Sequence, residues 1–313
     1  FGGVIIEHDD EKPFTFNPFQ LDGYDFVTRA NGTKILTEDK TINLVTLLKL
    51  ITGDEKNSKA SQLSVEVKNT VFEILVSGYY EAMWKDQNTH FNFDSFFEYS
   101  NQHILTLIKS KGISREIFDP KVFLFLLEKY YKDGPRGKLL NHEDERITSF
   151  SEEKIIYFKL GKLIDNELLF PITALMIMEI FSKKLNDRSK LSMNKMMVVD
   201  EAWKALDRKE LVDYFNSQSR MARKYGGQPI FISQKVDDFI ASEVIKNAIV
   251  VNSHIKVFLD MRDFAKSFDN IQSVMGLGEK QKQLIKKEGE KLVKNDYDIV
   301  ENFVSTIKSL TNI

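Results

Sequence analysis

Met196-Met197-Val198-Val199 is an unbroken apolar run, and Asp200-Glu201 follows it at once. A strand covered on both faces reads as a continuous apolar run, whereas a half-wet strand alternates. The run therefore predicts a buried parallel strand, which commits this part of the chain to an α/β layer architecture. In open α/β sheets, ligands bind beyond the carboxyl ends of the strands. Two adjacent carboxylates at such a tip are candidates for chemistry. A plainer reading also fits: a strand that ends at a helix with acidic residues in its first turn, where the helix dipole favours them.

Composition narrows the field. The 313 residues are ample for a packed core and suggest one large domain or two. Hydrophobic residues make up 42% and charged residues 29%, the balance of a globular chain. A net charge of -2 gives no global footprint for nucleic acid, leaving only a local basic stripe as a route to it. The chain has no cysteine, which excludes disulfides, Cys-based metal sites and Cys nucleophiles and fits a reducing compartment. No apolar run reaches the length of a membrane span. The chain begins at Phe1, with neither Met nor a signal-like segment, and reads as a fragment of a longer protein.

Periodicity supplies the rest of the frame. Val4-Ile5-Ile6 is a short strand candidate, and Asn17-Pro18 reads as a turn or extended exit. Helix spacing runs over Thr41 to Ile51, with Gly53 as its stop, then over Ser61 to Trp84 and Asp94 to Ser110. Asp119-Pro120 predicts an N-cap and first turn for a helix through Tyr131. These four helices predict an all-α subdomain. Lys154 to Leu160 then reads as a strand, Phe170 to Phe181 as an apolar helix, and Pro229 to Ile232 as a strand ending at Ser233-Gln234. A helix carrying Leu211, Phe215, Ser219 and Ala222 leads to Tyr225-Gly226-Gly227. A helix over Ser242 to Ile249, a strand over Ile255 to Leu259 and a charged, mostly helical tail from Lys280 complete the pattern. Strands alternating with helices predict βαβ units and a mostly parallel sheet. The five histidines fall on separate stretches and form no ligand set.

Four elements occur in order: Asp200-Glu201 after one strand, Arg220, Arg223 and Lys224 before Gly226-Gly227, Ser233-Gln234 after the next strand, then Asp237-Asp238-Phe239. This series resembles the conjugative-transfer ATPases of type IV secretion systems, relatives of HerA and FtsK, and above all the TraG-type ATPase of conjugative transposons. Phe1-Gly2-Gly3-Val4-Ile5, Phe16-Asn17-Pro18-Phe19, Asp133-Gly134 through Asn141 and Gly276-Leu277-Gly278 fit the same family, so the likeness spans nearly the whole chain.

The resemblance implies a RecA-like P-loop NTPase core from residues 1–40 and 150–313, interrupted by the helical subdomain at 41–149. It implies that Asp200 matches the Walker B aspartate, which supports Mg²⁺ through water, and that Glu201 polarises the lytic water. Gln234 would sense the γ-phosphate or the water of bound ATP. Arg223 with Lys224 resembles an Arg-Lys motif thought to reach a nucleotide across a subunit interface, and Arg220 is a further candidate. Each has a plainer alternative: Gln234 as a helix cap, the basic residues as a solvated helix end, Trp203 as a packing residue. The implied partners are sister subunits, as a hexamer, and inner-membrane channel components, at the cytoplasmic face of that membrane. DNA is a further partner that the net charge does not favour.

One family element is missing. The Gly-rich phosphate loop G-x-x-x-x-G-K-[ST] does not occur: Gly134 to Lys138 has the wrong spacing, and Gln281 follows Lys280 where Ser or Thr is required. The expectation is a chain cut after its P-loop, inactive alone because the backbone cradle and its Lys hold the phosphates. Two rivals stand beside this reading. One is a DNA-translocating HerA/FtsK-type or coupling-protein ATPase. The other is a non-enzymatic interaction domain with a vestigial acid pair.

Overall fold

The computed structural model describes residues 3–9, 11–53, 62–88, 90–142, 153–190, 193–200 and 209–233, with 253, 255–257, 272, 278–280 and 283. The chain divides into two compact units, Phe1–Ser189 and Lys190–Ile313. The predicted helix over Ser242 to Ile249 and nearly all of the tail lie outside the described residues; of the strand expected over Ile255 to Leu259, residues 255–257 are described and form no strand, with Ile255 and Val257 exposed.

The first unit opens with β1 (Val4–Glu7) and β2 (Phe26–Thr28), which is paired antiparallel with β3 (Lys34–Leu36). Sequence reading missed this hairpin, although Asn31-Gly32 marks its turn and Gly32 takes φ 81° there. Helix α1 (Glu38–Thr52) starts three residues earlier than the periodicity predicts, because the Thr37 hydroxyl caps it by accepting from Lys40 N. Helix α2 (Gln62–Lys85) follows. In α3 (Phe93–Ser110), Asn92 and Ser95 form a capping box that satisfies two orphan donors. Helix α4 (Pro120–Glu128) begins on Asp119 as predicted, but stops short of Tyr131. There the chain folds into a tight loop, with Gly134 pressed on the carbonyls of Glu128, Lys129 and Tyr131. Strand β4 (Ile156–Lys159) pairs parallel with β1, Ile5 opposite Tyr157, and α5 (Leu169–Asn186) closes the unit.

The core of this unit is aromatic. Phe19 stacks on Phe96 at 4.7 Å and lies edge-on to Tyr79 and Phe93. Such pairs contribute about 0.5–1.5 kcal/mol each beyond their burial. Phe93 and Phe96 of α3 are buried, as is Phe91 just before it, so these rings belong to the core. The Tyr80 hydroxyl donates to Phe19 O at 2.6 Å, which lets a phenol sit in that core.

The second unit holds β5 (Lys195–Val199), α6 (Lys209–Lys224) and β6 (Gly227–Phe231). Leu211, Phe215 and Ala222 lie on one stripe of α6, and all three are buried. Phe215 meets Phe231 of β6 edge-on at 5.7 Å. Strand β5 corrects one expectation. Val198 is 54% exposed and Met196 38%, so one face of the strand is open. A parallel sheet needs a layer on each face, and α6 is the described helix that packs against this pair.

Candidate functional site

Strands β5 and β6 run parallel in the register Lys195↔Gly227 through Val199↔Phe231. Lys195 N donates to Gly226 O at 3.0 Å to open the ladder, and Ile232 N donates to Val199 O at 2.9 Å to close it. Asp200 and Ser233 therefore leave the sheet at the same end, the carboxyl ends of both strands. This is the end where α/β sheets hold ligands. Asp200 is exposed.

The basic candidates sit elsewhere. Helix α6 runs back across the sheet and delivers its last residue, Lys224, three positions before β6 begins. Gly226 makes the turn with φ 70°, a left-handed conformation that costs glycine nothing. Lys224 is exposed, and its Nζ lies 5.4 Å above the Tyr225 ring. Arg220 and Arg223 occupy the last two turns of the same helix. A five-residue strand rises roughly 13 Å from first to last residue. The ladder thus gathers Asp200 and Ser233 at one end and leaves Lys224 at the other. Glu201, Gln234 and Trp203 lie outside the described residues.

The donor set at the tip suits a hard cation held loosely. Mg²⁺ keeps several waters and takes one or two carboxylates together with substrate phosphates. One exposed strand-tip carboxylate, Asp200, fits that pattern. Among the described residues no group of three His, Cys, Asp or Glu could enclose a metal ion directly.

Comparison with known proteins decides the family. The sequence model of the TraG P-loop domain matches residues 1–309. The chain belongs to the TraG P-loop family. Protein TraC of Escherichia coli (strain K12) is 26% identical over 149 residues, a match that covers 46% of this chain and 17% of TraC. The structure of VirB4 of Thermoanaerobacter pseudethanolicus superposes with a TM-score of 0.57 at 18% identity, covering 90% of this chain and 71% of that one. At that identity the likeness speaks to fold, and the fold is an α/β P-loop NTPase core. The resemblance drawn from the motifs is borne out at the level of the family, the TraG P-loop domain. No described helix is long and apolar enough to cross a membrane.

Proposed function

We propose that this TraG-family chain is the Walker B half of a RecA-like ATPase motor that powers transfer of DNA or protein, or channel assembly, in a conjugative type IV secretion system. The reading rests on one observation above the others, the register that brings Asp200 and Ser233 to one end of the β5–β6 pair. In this reading residues 1–40 and 150–313 form the nucleotide-binding core, and 41–149 an inserted helical subdomain.

The chemistry is in-line attack of water on the γ-phosphate of ATP. Asp200 would hold the shell of a bound Mg²⁺ through water, an ion that would neutralise charge at the phosphates. Glu201, next in sequence, accepts a hydrogen bond from the attacking water, aligns it and takes its proton as the bond to ADP breaks. Gln234, one residue beyond Ser233, touches the γ-phosphate or that water. Arg223 and Lys224, with Arg220, serve a nucleotide bound by a neighbouring subunit, since the length of the ladder separates Lys224 from Asp200 of its own copy. Sister subunits in a hexameric ring and inner-membrane channel components are the partners, at the cytoplasmic face.

The 313 residues contain no G-x-x-x-x-G-K-[ST] cradle, so this stretch alone neither binds ATP tightly nor hydrolyses it. The test compares ATP turnover by this chain with turnover by a form that also carries the Gly-rich loop and the strand before it. Turnover only in the longer form, lost on Glu201→Gln, supports the motor. Silence in both, with and without DNA, would favour a non-enzymatic interaction domain.

A further inference from the structure

Five charged side chains from three segments meet inside the first unit. Lys40, in the first turn of α1, is 1% exposed; its Nζ lies 2.5 Å from Glu179 of α5 and 3.9 Å from Asp25. Lys183, one turn beyond Glu179, reaches Asp22 at 3.2 Å, Asp25 at 3.6 Å and Glu179 at 3.9 Å. Tyr80, fully buried, lies near enough to Asp25 and Glu179 to feel their charge. Neither motif nor periodicity flagged this cluster.

We infer that it is a releasable latch between α1 and α5, built to part and re-form. Three features carry the inference. First, a cation in the first turn opposes the dipole of its own helix. Lys40 is thus placed against local preference, as happens at specialised sites. Second, a buried pair is weak evidence for stability, since well-packed apolar replacements are often neutral or stabilising. An apolar contact would hold α1 to α5 more firmly. Charges regain hydration on parting, whereas apolar surface gains nothing from water. Third, the cluster has a wet rim. Lys183 is 37% exposed and Asp22 39%, while Lys40 is sealed, so water has a side from which to enter.

Hydrogen exchange on this chain tests the latch without reference to ATP turnover. Lys40→Met alone leaves Glu179 without its nearest cation. It should lower the melting temperature and speed exchange in α5 around Glu179. Lys40→Met with Glu179→Leu should melt no lower than the parent and exchange at least about tenfold more slowly there, because the junction no longer opens locally. Exchange in the double variant as fast as in the parent, or loss of its fold, would mean that the charges serve only to hold the unit together, and the latch would be refuted.

Discussion

Asn141 Oδ1 accepts from Asp94 N at 2.8 Å, tying the end of the loop after α4 to the first turn of α3. The same side chain donates to Tyr130 O at 3.2 Å and Gly137 O at 2.7 Å, and it is 7% exposed. One amide thus satisfies three backbone groups from three places.

Asn141→Ala should therefore destabilise the first unit well beyond a surface substitution. Leaving a buried backbone group unpaired costs about 1–3 kcal/mol. We expect a loss of about 2–4 kcal/mol by chemical denaturation. Asn141→Asp, which keeps the acceptor but turns a buried carboxylate oxygen on the two carbonyls, should cost at least as much. A loss no larger than that of an exposed Asn→Ala change would show that these contacts are dispensable.

The turn at Gly226 makes a second prediction. Its φ of 70° suits glycine, tolerates asparagine and strains alanine. An added Cβ would meet Met193 O at 3.5 Å, ordinary contact, so conformation alone sets the cost. Gly226→Ala should cost about 1–2 kcal/mol and Gly226→Asn less. Equal stability of the parent and the alanine variant would refute the left-handed turn. The position matters because a one-residue slip of β6 would turn Ser233 to the opposite face.

Burial of Tyr79 predicts an alkaline slope. Desolvation pushes its phenol up to about 12, against the lowering effect of its hydrogen bonds to Ser95 and Asn92. The folded state therefore keeps its proton where the unfolded state has lost it. The stabilising contribution is whole below pH 10 and is lost as pH rises from 10 towards 12. Tyr79→Phe should lessen the fall of stability across that window, with buried Tyr80 and Tyr130 and half-buried Tyr99 supplying the rest. An unchanged slope would assign it to other groups.

Much of the frame is readable in the residues themselves. Asp119-Pro120 announces its helix, and the stripe on α6 announces its buried face, because both signals are local. The register of β5 and β6 is not local, and apolar runs alone do not reveal that one face of β5 stays open. Helix α4 ends at Glu128 although apolar spacing continues to Tyr131. Backbone crowding decides it instead: a Cβ on Gly137 would overlap the Lys132 carbonyl, so the chain can wrap there only with glycine. The Lys40 cluster escaped because its partners lie 15 and 139 positions apart from it in sequence, with nothing periodic to link them. At the candidate site the residue types were legible, and so was the placing of Asp200-Glu201 and Ser233-Gln234 after neighbouring parallel strands; the residue-by-residue register was not.

The length of the β5–β6 ladder has a consequence for dilution. If Asp200 and Lys224 must meet at one triphosphate, no single copy supplies both groups. Specific activity of the complete enzyme would then depend on protein concentration, rising as copies associate and collapsing below their dissociation constant.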